Sequence, residues 1–306
     1  MSTKIGDSLA LTNAIIGLTR SDGLWPDTLA RLGYHVFHIE RRLVTGEGEY
    51  CADLILKSST HNHALVSEVK CGTVQTSQHR ALLAVNADAL RDAGLESADW
   101  SSFAHDVAYW SVDDFAERLR QGFSRQGWAP LITVGDDVIA LVEGSFASEP
   151  LDTILRSGIP VSGLNPPLGY VPFDSESSDR KIAREILATV LSCLRHGDPW
   201  LPFDEFVAKC HPYWSKLGQR VRGPLGKRIE SLLKSAIRST LAPYIVLRTE
   251  ESPHRICFLK DLSAMQLNDL RHELTRYDGA VRQLLYSLDA RDDEQLSLFD
   301  AVSGQA

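Results

Sequence analysis

Three side chains in the first quarter of the chain are of the types, and at the spacing, that hydrolyse phosphodiesters. They are Asp53, Glu68 and Lys70. Asp53 stands in the run CADLILK and Glu68 and Lys70 in the run ALVSEVK, both apolar enough to read as strands. Side chains alternate faces along a strand, so Cys51, Asp53 and Ile55 are expected to share one face, and Val66, Glu68 and Lys70 another. If the two strands are antiparallel neighbours, two carboxylates and an ammonium converge. Burying them is costly unless they neutralise one another or hold a cation. A hard divalent cation takes oxygen ligands, which Asp53, Glu68 and the backbone carbonyl of Val69 can supply. Such a centre suits metal-assisted attack on a phosphoryl group, with Lys70 positioning the water and offsetting developing charge.

The elements that must position these residues follow from the flanking pattern. Residues 7–20 carry apolar side chains at helical spacing (Leu9, Leu11, Ile15, Ile16) and read as an amphipathic helix. A short helix after Pro26 stops at Gly33, and Tyr34–Glu40 reads as a strand. Gly46 and Gly48 mark a turn, and SSTHNH joins the next two strands. A helix is expected from about Thr76 to Ala93. A strand over Val107–Val112, a helix over Asp113–Phe123 and a hairpin around Gly135-Asp136-Asp137 follow. The order is α-β-β-β-α-β, a mixed sheet flanked by helices.

With the pattern Asp53, fourteen residues, then Glu68-Val69-Lys70, residues 5–115 resemble the PD-(D/E)xK nuclease superfamily. Ala52 stands where that family often has proline. The resemblance implies a restriction-endonuclease-like fold of α/β class and a nuclease, and the unpaired cysteines with no signal peptide make a cytoplasmic location the expectation. It also implies Mg²⁺ as cofactor, with Mn²⁺ as a substitute. Gln75 and Gln78 open the following helix, and the resemblance implies that Gln78 assists at the metal-bound water or a phosphate. Glu40 is an outer carboxylate candidate. His61, His63 and His79 lie close in sequence, and histidines in polar loops are mostly solvated.

The domain boundaries expected are 1–150 for the nuclease domain, 151–179 for a Gly-, Pro- and Ser-rich linker and 180–262 for a second domain. A helical segment over 263–288 and a flexible tail over 289–306 complete the chain. In the second domain, helices near Lys181–Leu194, Phe203–Cys210 and Leu225–Ser239 precede a hairpin of Tyr244–Arg248 and His254–Leu259. Helix, helix, helix, hairpin is the order of a winged helix. The chain has net charge −8, yet from Asp204 to Arg238 eight basic residues face three acids, a local balance of +5. Lys216, Arg220, Arg222, Lys227, Arg228 and Lys234 are the expected DNA contacts, by neutralising phosphates.

Residues 295–299, Gln295-Leu296-Ser297-Leu298-Phe299, resemble the bacterial sliding-clamp-binding pentapeptide. Gln295 offers hydrogen bonds, and Leu298 and Phe299 offer apolar anchors. The five cysteines form no CxxC pair, which argues against a zinc ribbon and for reduced thiols. No stretch approaches the roughly 20 apolar residues of a membrane span, and residues 1–17 lack the unbroken apolar run of a signal peptide. The expected function is a Mg²⁺-dependent DNA endonuclease in repair, restriction or phage defence. The alternatives are an inactive nuclease-fold adaptor that binds DNA and the clamp, and an RNA nuclease. Oligomeric state is not legible.

Overall fold

Every residue of the seven-residue strand His63–Val69 is buried, Ser67 and Glu68 included. A strand in that state has both faces covered, and the elements around it supply the cover. The computed structural model describes residues 7–123, 129–165, 167, 169–250 and 252–303, with backbone alone over 291–303. It divides into two units: Met1–Val171 with Ser215–Arg222, and Pro172–Trp214 with Gly223–Ala306.

The first unit runs α1 (Ser8–Leu18), α2 (Thr28–Arg31), β1 (Tyr34–Thr45), β2 (Gly48–Ser58), β3 (His63–Val69), α3 (Thr76–Leu83) and α4 (Ala87–Asp92). It continues with β4 (Ala104–Val112), α5 (Asp113–Phe123), β5 (Leu131–Val134), β6 (Val138–Glu143), α6 (Glu149–Ser157) and β7 (Ile159–Pro160). The seven strands lie in sequence order in one mixed sheet. β3, β4 and β5 are parallel, and the remaining neighbours are antiparallel. The α/β class and the mixed sheet are therefore as the sequence pattern predicts.

Helix α1 starts where Asp7 accepts the backbone N–H of Ala10. It is not the amphipathic helix expected: Leu11 to Leu18 are buried at every position, and Asn13 is satisfied internally by Leu9 and Val171 carbonyls. Each fully buried Leu or Ile contributes about 1.5–3 kcal/mol, so this helix is a core element. On the other face, Ala81, Leu82 and Leu90 pack with Ile55, Ala64, Val66, Tyr109 and Phe123. The single helix expected over Thr76–Ala93 is two, α3 and α4, because Asn86 caps a second start by accepting the N–H of Ala89.

The first third of the linker expected at 151–179 is structured. Its first part is α6, and Ile159–Pro160 adds the seventh strand to the sheet. Composition misled here, because the Gly158 that ends α6 at φ 79° is a helix stop rather than a sign of open chain. Residues 215–222 also depart from expectation. They belong to the first unit: Leu217 bridges Ile39, and the Gly218 N–H donates to the Ile39 carbonyl at 2.9 Å. A Cβ on Gly218 would lie 2.2 Å from the Glu40 carbonyl oxygen, so only glycine lets the chain approach this closely.

The second unit holds α7 (Asp179–His196), β8 (Trp200–Pro202), α8 (Phe203–Cys210), α9 (Gln219–Ala236), β9 (Ile245–Arg248), β10 (Arg255–Phe258) and α10 (Leu267–Ser303). The first four residues of α9 group with the first unit. The three strands order as β8-β10-β9, all antiparallel, and β8 is an addition to the elements expected. Ile186, Val190, Phe206, Ile229, Leu233 and Ile256 form buried positions of this unit. α10 docks on α7 through Tyr277, whose hydroxyl donates to the Leu187 carbonyl at 2.5 Å. Its backbone remains helical to Ser303, where a flexible tail from 289 was expected. The side chains of Gln295, Leu296, Ser297, Leu298 and Phe299 lie outside the described residues. Among the described residues no helix is long and apolar enough to cross a membrane.

Candidate active site

The hairpin of β2 and β3 brings the expected residues together. Leu54 pairs with Ser67 and Ile55 with Val66, which sets Asp53 opposite Glu68. Glu68 is fully buried. Its Oε1 accepts the Lys70 ammonium at 2.6 Å and the Gln78 amide at 2.5 Å, and its Oε2 accepts the Tyr50 hydroxyl. Asp53 Oδ2 accepts the Val69 backbone N–H at 2.7 Å. Lys70 lies one residue past the end of β3. It is held there because its N–H donates to the Trp110 carbonyl and its carbonyl accepts the Ser111 hydroxyl. Gln78 reaches Glu68 from the first turn of α3.

Burial pushes the Asp53 carboxyl well above the usual carboxylate range, and the charge of Glu68 pushes it further. Burial raises Glu68 as well, against the pull of Lys70. Burial and the same two carboxylates raise the Tyr50 hydroxyl, so it stays a donor. The pair is therefore desolvated and mutually repelling, with one ammonium to offset it. Glu40 adds to the excess. It lies between the Ile39–Leu54 and Arg41–Ala52 pairs of the β1–β2 ladder, its charge raises Asp53, and its backbone adopts φ 49°, a left-handed conformation uncommon outside glycine.

Tyr50 was missed by sequence reasoning. Simple alternation puts it on the face opposite Asp53 and Ile55. However, Tyr50 and Ala52 join the same apolar cluster as Ile55, so the alternation slips by one residue at Asp53. For the same reason Cys51, which is exposed, does not share a face with buried Ile55. No local signal marks such a slip.

The neighbouring histidines divide as follows. His61 is exposed in the β2–β3 turn. His63 is buried between the Tyr34 hydroxyl (2.8 Å) and Asp106 (3.0 Å), which ties the far end of β3 to β1 and β4. His79 is buried, stacked on Phe123 and bonded to the Tyr109 hydroxyl at 3.1 Å. The last two are internal supports.

The basic residues expected in the second domain are divided between the two units. Lys216, Arg220 and Arg222 belong to the first unit. Lys216 lies over the Phe37 ring, and Arg220 pairs with Glu49 at 3.2 Å. In the second unit Arg228 is an internal tie: it bonds Asp179 at 2.6 Å and the carbonyls of Ser175 and Ser177. Lys234 pairs with Glu230 one turn earlier, at 2.8 Å. Lys227 and Arg238 are exposed.

Among the described residues no three His, Cys, Asp or Glu side chains gather as a metal cluster. The donor set at this centre is two carboxylates, Asp53 and Glu68, with the Val69 carbonyl directly after Glu68 in sequence. A family model described as the MJECL32 domain matches residues 7–124, which takes in Asp53, Glu68, Lys70 and Gln78. No curated protein and no solved structure matches the chain.

Proposed function

We propose that this chain is a Mg²⁺-dependent nuclease that hydrolyses phosphodiester bonds of DNA, with Asp53, Glu68 and Lys70 at its centre. The observation that carries the reading is the buried Asp53–Glu68 pair, both raised by burial and Asp53 further by the charge of Glu68, with the Lys70 ammonium 2.6 Å from Glu68. Two carboxylates with one cation leave negative charge in a desolvated place, and a hard divalent ion is the partner that such a donor set fits. Asp53, Glu68 and the Val69 carbonyl would hold it. The ion supplies Lewis acidity toward a phosphoryl oxygen and toward water.

The chain's own groups do the rest. Tyr50 and Gln78 each donate to a different oxygen of Glu68 and so fix the carboxylate's plane. Oε1 already accepts two donors, Lys70 and Gln78, whereas Oε2 accepts Tyr50 and keeps a second lone pair. The Val69 N–H fixes Asp53. Lys70, with 21% of its side chain exposed, can reach an attacking water and the developing charge on a phosphoryl group.

The second unit supports contact with DNA by its order of three helices and a hairpin, and by exposed Lys227 and Arg238 on its third helix and the turn that follows. Gln295–Phe299 supports recruitment by a bacterial sliding clamp, through the resemblance of that pentapeptide to the clamp-binding motif. Restriction, phage defence and repair are the settings in which such an assembly works.

The test is incubation of the purified chain with labelled single-stranded, duplex and branched DNA, and with RNA, in Mg²⁺ or EDTA. Cleavage of DNA in Mg²⁺ is expected, with loss of about a hundredfold or more in Lys70→Ala and Asp53→Ala. Activity that survives both changes places the centre elsewhere. Binding without cleavage in any condition favours the adaptor reading.

A further inference from the structure

Beside the carboxylate centre the first unit has an open cavity of about 420 Å³, lined by Glu40, Arg41, Arg42, Glu49, Tyr50 and the returning segment Gly218–Val221. Two of its lining residues connect it to the centre: the Tyr50 hydroxyl donates to Glu68, and the charge of Glu40 acts on Asp53. We infer that this cavity binds a backbone phosphate of the DNA strand through Arg42 and Arg220, and that Glu49 occupies the two guanidiniums when DNA is absent.

Three guanidiniums and two carboxylates line the cavity. Arg41 is committed elsewhere, its Nη2 donating to the Ala93 carbonyl at 2.6 Å. Arg42 on β1 and Arg220 on the returning segment are 178 positions apart in sequence, and both pair with the single carboxylate of Glu49. Their charges are close enough that Arg220, after burial, contributes to lowering Arg42. Two guanidinium forks on one planar anion match the geometry in which arginine takes a phosphate. Glu49 is more than half exposed, and so is Arg220. Ion pairs between exposed groups contribute little, so a phosphodiester, with its own counterions to release, can displace Glu49.

The backbone builds this arrangement. Leu217 is buried and bridges Ile39, Gly218 is pressed against the Glu40 carbonyl, and the chain thereby delivers Arg220 to the cavity. The placement would hold a strand against the wall that Tyr50 and Glu40 share with the reaction centre.

The identity of the ligand rests on the nuclease reading, so the test measures binding without cleavage. The full chain, the double variant Arg42→Ala/Arg220→Ala and the single variant Glu49→Gln are titrated into labelled duplex DNA in EDTA, at several salt concentrations. Their melting curves verify folding. The double variant is expected to bind roughly tenfold more weakly, with the salt slope reduced by about one, the value for one phosphate contact. Glu49→Gln is expected to bind severalfold more tightly, a gain that a merely structural pair does not produce. The inference is overturned if the double variant keeps wild-type affinity and slope, if Glu49→Gln binds no more tightly, or if the full chain binds no DNA. A chain that binds in this way and cuts nothing in Mg²⁺ keeps this inference and loses the nuclease reading.

Discussion

The Oδ2 of Asp53 accepts the backbone N–H of Val69 at 2.7 Å, so a side chain from β2 takes over a ladder position that the β2 backbone leaves. The regular pairing of β2 with β3 ends at Leu54 and Ser67. Past that point the two strands are joined through Asp53 itself, which fixes the carboxylate opposite Glu68 and opens the space between them.

This arrangement has a stability cost that, on the proposed function, a bound divalent ion would relieve. With no divalent ion, Asp53→Asn keeps an acceptor for the Val69 N–H and removes one of two desolvated like charges. The variant is expected to be more stable than the parent in EDTA, by about 1–3 kcal/mol. Mg²⁺ at a hundred times its Kd is expected to stabilise the parent by about 2.7 kcal/mol and to leave the variant unmoved. Thermal melts of both proteins with and without Mg²⁺ measure this. An equal response to Mg²⁺ in both would remove Asp53 from the metal site.

His211 gives the second unit a pH dependence of predictable sign. It is fully buried against the rings of Phe173 and Trp214, and burial pushes its imidazole down to about 4. The folded chain therefore holds this ring neutral where the unfolded chain, with an ordinary value near 6.5, takes up a proton. Stability from this group is complete above pH 6.5 and falls as pH drops from about 6.5 toward 4, by on the order of 2–3 kcal/mol. His211→Phe retains the aromatic contacts and is expected to flatten that part of the profile. Denaturant titrations of the full chain between pH 4 and 7 decide it, and an unchanged slope in the variant would assign the acid sensitivity to other groups.

Recruitment can be tested apart from catalysis. A peptide covering Asp289–Ala306 is expected to bind a bacterial sliding clamp, and Leu298→Ala with Phe299→Ala to abolish binding, because affinity in such motifs sits in a few apolar anchors. The same double change in the full chain is expected to leave cleavage of short oligonucleotides intact. A fall in melting temperature, with no binding by the free peptide, would mean that these residues instead serve the protein's own fold.

Much of the candidate site was legible without coordinates. The residue types Asp53, Glu68 and Lys70 stand in short apolar runs, and apolar runs of that length form buried strands whose charges need a reason. The hairpin between them is local, so its antiparallel pairing follows from the short SSTHNH connection. Gln78 was singled out by the resemblance to the nuclease superfamily, and its place in the first turn of the helix after β3 is what lets it reach Glu68.

Other features are decided only by tertiary structure, because they depend on contacts that leave no periodic trace in the chain. The slip at Asp53 that brings Tyr50 to Glu68 is a one-residue event, invisible to a pattern of period two. The burial of α1 on all sides depends on what packs over it, not on its own apolar stripe. Counting charges does not separate Arg228, consumed inside the second unit by Asp179 and two carbonyls, from exposed Lys227 one position before it. Most of all, the return of residues 215–222 to β1 joins positions about 180 apart along the chain. The chain alone determined which chemistry was available. Close backbone approach at one glycine, Gly218, decided which arginine stands beside it.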